Sequence, residues 1–163
     1  MTMEPIITVS TVLAMFMSMV NQTDNNQYCY NADMENSKVN NIEVYDNLKS
    51  GLKAKVKYTY AYDSNDRLTE KQTLAYNNMT KTWMNMSRLT YIYNDYGMTI
   101  ERRLWKAEKH EYSRRVEMAQ YEFANGNVMA VNNYKWNNET AQYRNTGSML
   151  IMNPDVNSLM AEL

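Results

Sequence analysis

"YTYAYDSNDRLTE" occupies Tyr58–Glu70. Tyr58, Tyr60 and Tyr62 alternate with Thr59 and Ala61. The two-residue period of a strand puts the three rings on one face and Lys57, Thr59 and Ala61 on the other. Asp63-Ser64-Asn65-Asp66 follows, and Asp, Ser and Asn bond their own backbone while Asn and Asp tolerate positive φ. The stretch therefore predicts a strand, a tight reversal, and a return strand beginning near Arg67.

The pattern recurs. "YAY", "YIY" and "YEF" end at Tyr62, Tyr93 and Phe123, about thirty residues apart, and each precedes a turn sequence: "DSND", "NDYG", "ANG". A second landmark keeps the same period. Tyr76 and Trp83, Trp105 and Tyr112, and Trp136 and Tyr143 are pairs seven residues apart, separated by "NNMTKT", "KAEKHE" and "NNETAQ". Two landmarks in three copies mark an internal repeat with units ~56–83, ~84–112 and ~113–143. If each polar segment is a hairpin end, its flanking aromatics lie directly opposite on one face. Such a cross-strand pair contributes about 0.5–1 kcal/mol to closing its hairpin.

Extending the pattern predicts about eight strands, at ~41–46, ~52–62, ~67–76, ~83–93, ~98–105, ~112–123, ~127–136 and ~143–152. Short connections make sequence neighbours spatial neighbours, so the fold class is all-β, an antiparallel meander of long hairpin-connected strands. Cys29 fits a short edge strand ahead of them. "YSRRVEMAQYEF" (Tyr112–Phe123) switches phase, which predicts a β-bulge near Met118–Gln120. In "WMNMSRLTYIY", Trp83, Leu89, Tyr91 and Tyr93 share one parity and Met84, Met86 and Ile92 the other. Apolar residues on both faces call for a curled sheet or incomplete barrel, with a flat single layer as the alternative. "NPDVNSLMAEL" (Asn153–Leu163) suits a short helix covering an edge.

A chain of 163 residues with net charge −1 has no bulk charge to draw it to nucleic acid or acidic lipid. With 14 Tyr and 3 Trp against 2 Phe, its aromatics suit half-wet surfaces. One Cys and one His exclude an internal disulfide and a His-rich metal site, so no cofactor or metal is expected. His110, among charges in "KAEKHEY", reads as a solvated loop residue. "PIITVSTVLAMFMSMV" (Pro5–Val20) has the length of a signal-peptide apolar region and is short for a membrane span. The organisation read is a signal peptide at 1–22, then a single tyrosine-rich domain at 23–163, without a stable membrane span after processing. A retained anchor and a buried helix or strand are the alternatives for the first segment.

"YAYDSNDRLTE" resembles the Y-x-Y-D-x-x-G-R-L turn unit of Rhs/YD-repeat proteins through Tyr60, Tyr62, Asp63, Arg67 and Leu68, with Asp66 where that pattern has glycine. The second unit keeps Tyr91, Tyr93 and Gly97, and the third Tyr121, Phe123 and Gly126. Together with "YNNMTKTW" and "YKWNNETAQY", roughly Ile42–Ile151 resembles a family of uncharacterised exported β-repeat proteins of Bacteroides-type bacteria. The resemblance implies a secreted or envelope-associated β protein. It supplies no catalytic residues.

No phosphate-binding loop, dinucleotide fingerprint, zinc-ligand spacing or nucleophile elbow occurs. Asp63 with Asp66, and Asp66 with Glu70, are carboxylate pairs explained by a turn and a strand face. The chain is thus expected to be an exported, non-enzymatic protein. The candidate ligand-binding residues are Tyr76, Trp83, Trp105, Tyr112, Trp136 and Tyr143, and the candidate partners are glycans or envelope proteins. A structural or self-associating envelope component is the alternative.

Overall fold

The computed structural model describes residues 6–21, 27–113, 116–125 and 128–152. Ten antiparallel strands form one meander sheet: β1 (Tyr28–Glu35), β2 (Lys38–Leu48), β3 (Gly51–Tyr62), β4 (Leu68–Asn77), β5 (Thr82–Asn94), β6 (Gly97–Lys106), β7 (Glu111–Tyr112), β8 (Glu117–Asn125), β9 (Val128–Asn137) and β10 (Gln142–Met152). The order is sequential, except that β7 pairs only with β6 and β8 takes its place beside β6. Among the described residues, β1 and β10 are the edges, so the sheet is not closed into a barrel. A helix, α1 (Val9–Asn21), precedes the strands.

The chain divides into two compact units, a first spanning Thr8–Ser87 and a second comprising Ile7 and the chain from Arg88 onward. The first unit's core is Val12, Val39, Ile42, Val44, Tyr60 and Leu68. The α1 helix lies on β2, with Val12 fully buried. Thr11 begins the helix by accepting the Thr8 N–H on its side-chain oxygen at 3.3 Å, which satisfies a donor the helix leaves open. The quoted stretch anchors this entry, since the Val9 N–H donates to the Asp66 carbonyl at 3.0 Å. The segment expected as a leader is therefore helical here. No helix among the described residues is long and apolar enough to cross a membrane.

Turn chemistry follows the sequence closely. Asp63 Oδ1 accepts the N–H groups of Asn65 (2.9 Å) and Arg67 (3.0 Å), while Oδ2 accepts Arg67 Nε at 2.8 Å. These contacts, the Arg67 N–H first, hold the Asp63 carboxyl below its ordinary pKa. Asp66 has φ 60°, the left-handed conformation that favours glycine, and its carboxylate meets the Lys38 ammonium. Asn36 (φ 50°) and Ser37 (φ 64°) supply the two positive dihedrals that a two-residue hairpin requires.

The second unit buries Ile7, Leu89, Tyr91, Met98, Ile100, Ala119, Tyr121, Met129 and Val131. Tyr93 donates its hydroxyl to the Ile7 carbonyl at 3.1 Å. Two expectations change. The faces of β5 separate: Leu89 and Tyr91 are buried, whereas Met84, Met86 and Ile92 are 43%, 50% and 48% exposed. The bulge expected at Met118–Gln120 is absent, because β8 runs in unbroken register against β6 from Gly97↔Glu122 to Arg102↔Glu117. No change of face is needed: Tyr112 opposes Trp105 and Met118 opposes Glu101 on one face of β6, while Tyr121 opposes Met98 on the other. Cys29 lies half-buried in edge strand β1, as expected. The Asn153–Leu163 segment lies outside the described residues.

Candidate binding cleft

The three repeated hairpin ends share one construction. Asn77 Oδ1 accepts the N–H groups of Met79 (2.9 Å) and Thr80 (3.3 Å), and Asn137 Oδ1 those of Glu139 (2.8 Å) and Thr140 (3.4 Å). The middle hairpin has Lys106 in place of asparagine and uses a single 3-10 turn at Ala107–Lys109. Each loop then ends on a left-handed residue: Lys81 (φ 57°), His110 (φ 52°) and Ala141 (φ 52°). His110 is thus the exposed closing residue of a turn.

That construction brings every aromatic pair together edge to face. Ring centroids are 5.0 Å apart in Tyr76–Trp83, 5.0 Å in Trp105–Tyr112 and 5.2 Å in Trp136–Tyr143, with interplanar angles of 68°, 71° and 80°. Trp105 lies opposite Tyr112, and Trp136 opposite Tyr143, in the strand register. Edge-to-face contact aligns a ring's positive rim with its neighbour's negative face, about 0.5–1.5 kcal/mol beyond the area buried. All six rings are half-buried.

Their surroundings differ. In the first unit, Lys57 Nζ stands 6.0 Å over the Trp83 ring and donates to Glu43 Oε1 at 3.0 Å. Glu43 Oε2 accepts the Tyr45 hydroxyl at 2.5 Å, and this bond, with Lys57, holds the Glu43 carboxyl below its ordinary pKa. In the second unit, the Arg88 guanidinium lies 4.4 Å over the Tyr112 ring.

The second unit also contains a fork. β6 pairs with β8 as far as Arg102↔Glu117, then with β7 at Trp105↔Tyr112 and Lys106↔Glu111. β7 has no ladder to β9. Ser113 holds the branch point: its N–H donates to the Leu104 carbonyl at 2.7 Å, and its Oγ accepts the Leu104 N–H at 3.0 Å. On the other side the Trp136 N–H donates to the Val116 carbonyl at 2.9 Å.

A concavity of about 760 Å³ lies at this fork, lined by Trp105 and Trp136 with Lys106, Lys109, Glu111 and Lys135 among others. A second, of about 660 Å³, shares Lys135, Trp136 and Asn138 with it and adds Arg144 and Glu139. Trp136 therefore borders both. A smaller, more apolar hollow of about 280 Å³ lies over Leu89, Ile100 and Ala119, and Lys135 touches this one too.

Of the six aromatic residues singled out in the sequence, Trp105 and Trp136 meet in one cleft. Tyr112 and Tyr143 brace them from the side, and Tyr76–Trp83 forms its own pair in the first unit. The cations Lys106, Lys109, Lys135 and Arg144 were not singled out. The seven-residue spacing held the signal for two of them, because a register with Trp136 opposite Tyr143 also sets Lys135 opposite Arg144. Chemically the cleft offers ring surface, ammonium groups and an asparagine amide. Among the described residues its lining contains no histidine or cysteine, and Glu111 is the one carboxylate in the larger concavity.

The comparisons with known proteins agree with this architecture. The chain superposes on the crystal structure of a Bacteroides fragilis protein of unknown function with TM-score 0.68 and 28% identity, covering 78% of this chain and 94% of that one. A family protein from Bacteroides vulgatus matches with TM-score 0.51 and 29% identity, over 53% of this chain and 88% of that one. That protein belongs to the DUF3836 family. No curated protein matches the chain. The profile of the DUF3836 family, a family of unknown function, covers residues 2–123, and the chain is a member of it.

Proposed function

We propose that this chain is an exported, non-catalytic binding protein of the cell envelope or periplasm, and that its ligand is a glycan held at the fork in the second unit. The observation that carries the reading is that two half-buried indoles, Trp105 and Trp136, line one open cleft with hydrogen-bonding side chains around them. Sugar rings present C–H faces that pack on indoles, and their hydroxyls take hydrogen bonds from groups such as Asn138. Export rests on the apolar run now seen as α1, whose 13 residues carry no charge. The non-catalytic reading rests on the lining, in which the described residues pair no nucleophile with a base.

The test is affinity electrophoresis of the purified protein through gels containing a panel of polysaccharides. Retardation by at least one, abolished in Trp105→Ala and Trp136→Ala variants that remain folded, is the expected result. Unchanged mobility throughout would overturn the reading.

Self-association is the second reading, and the β10 edge favours it. Met149, Leu150 and Met152 are 48%, 69% and 67% exposed on a strand that has one free side among the described residues. Light scattering that returns a monomer at high concentration would remove it.

A further inference from the structure

We propose that the second unit holds a further binding site, on the sheet face opposite Trp105 and Trp136, and that it takes a carboxylate carried on a medium-length alkyl chain. The site stands apart from the glycan reading and uses none of its rings.

The first observation concerns charges that face one another across the ladders. Glu35 lies opposite Lys38, Glu43 opposite Lys57, Asp46 opposite Lys53, and Lys106 opposite Glu111. Arg102 lies opposite Glu117, and Glu117 opposite Lys135. Lys135 also lies opposite Arg144. In the ladders that join β1 to β4 and β6 to β10, this is the one direct opposition of like charges among the described residues, an arrangement that destabilises a sheet. Glu117 does not relieve it. Its Oε2 accepts Arg102 Nη1 at 3.2 Å, and Lys135 Nζ stays 3.9 Å from its Oε1. Water and salt screen two exposed cations that stand alone, so the pair becomes a site only through what lies beside it.

Beside it is the apolar hollow of about 280 Å³, at the small end of ligand pockets. Ile100 opposes Ala119, and Ala119 opposes Asn133, one two-residue step along the strands from the charged row. A two-residue step keeps the face, so the apolar row and the charged row lie side by side, while Trp136, one residue from Lys135, projects to the other face. Leu89, Ile100 and Ala119 line the hollow, with Asn133 and Lys135 contributed by β9 and Thr146 by β10. The hollow therefore runs across the strands from an apolar end to a polar one. An anion between Lys135 and Arg144 removes their repulsion, and an alkyl chain attached to it lies over Ala119, Ile100 and Leu89. From β6 to β10 is three strand spacings, roughly 14 Å, a span suited to a carboxylate of about eight to ten carbons. The charged row holds three cations against one carboxylate, so its net charge also favours an anion.

Isothermal titration calorimetry on the full chain compares octanoate with octanol, which lacks the charge, and with acetate, which lacks the chain. Octanoate should bind at least tenfold tighter than either. Its affinity should fall at least fivefold in Arg144→Gln and in Lys135→Gln. It should stay unchanged in Lys49→Gln, which removes an exposed cation from the first unit. Arg144→Gln should melt no lower than the parent, because it relieves a repulsion, so lost binding will not reflect lost fold. Octanol or acetate binding as tightly as octanoate would overturn the proposal, and so would octanoate binding indifferent to both substitutions. No heat beyond dilution with any of the three would overturn it as well. Binding to phosphatidylglycerol vesicles that octanoate fails to compete, lost in the same variants, would overturn it in favour of an anionic lipid surface.

Discussion

The Tyr76–Trp83 hairpin end in the first unit and the Trp105–Tyr112 and Trp136–Tyr143 ends in the second are built alike. Each has an edge-to-face pair near 5 Å and a left-handed residue closing the loop. They differ in what lies around the indole. Trp83 faces Lys57, whose charge Glu43 already balances. Trp105 and Trp136 share a cleft where the ladder forks and cations outnumber carboxylates. One local motif thus serves two purposes. As a clip it needs only its own two strands. As a binding surface it needs a break in the sheet beside it.

The largest expected effect strikes the β6–β8 ladder at its end away from the fork. A Cβ at Gly97 would lie 1.8 Å from the Tyr121 carbonyl oxygen, inside the β6–β8 ladder. Backbone cannot yield there as a flexible side chain would, so Gly97→Ala should cost about 3 kcal/mol in urea unfolding. Glycan binding should fall with it.

The next predictions separate clip from surface. Trp83→Leu and Trp136→Leu each lose an edge-to-face contact and should each destabilise by about 1 kcal/mol in thermal melts. Only Trp136→Leu should also abolish polysaccharide retardation. Equal loss of binding in both variants would erase the distinction between the hairpins.

A substitution of similar size and opposite sign tests their common construction. Ala141 and Lys81 hold φ of 52° and 57°, a region costing a side-chain-bearing residue about 1 kcal/mol relative to glycine. Ala141→Gly and Lys81→Gly should therefore each stabilise by about 1 kcal/mol, as read from urea midpoints at constant slope. A gain in only one would show that the loops are not equivalent.

The smallest effect concerns pH in the first unit. The Glu43 carboxyl is held below its ordinary value by the Tyr45 hydroxyl and Lys57. A lowered folded-state pKa means that the unfolded chain binds the proton first. The stabilisation is complete above the unfolded value and is lost as pH falls through the folded one. Melting temperature should drop between pH 5 and pH 3, and less steeply in Glu43→Gln, where no proton is taken up at this site.

Much of this architecture was legible because its signals are local. Alternation in Tyr58–Tyr62 gives a strand whatever surrounds it, and Asp63 builds its turn from backbone within four residues. Asp66 adopts a positive φ, which Asp in a turn tolerates. The aromatic pairs were legible for the same reason, since seven residues across a hairpin fix who faces whom. The fork was not. Parity cannot say whether Tyr112 and Tyr121 share a face, and in the structure they do not, since Tyr112 opposes Trp105 and Tyr121 opposes Met98. The branch itself is held by Ser113, whose side chain closes on Leu104 nine residues earlier. Nor did the sequence show that Met84, Met86 and Ile92 would remain exposed, because apolar parity cannot say which face is covered.

The most direct measurement uses the three tryptophans, Trp83, Trp105 and Trp136, as reporters. Three variants, each keeping one indole and replacing the other two with phenylalanine, are titrated with dextran, dextran sulfate and polygalacturonate while emission is followed. The account predicts that at least one polymer shifts or quenches the variants retaining Trp105 or Trp136, and leaves the Trp83 variant unchanged. A response carried by Trp83 with the other two silent would contradict it.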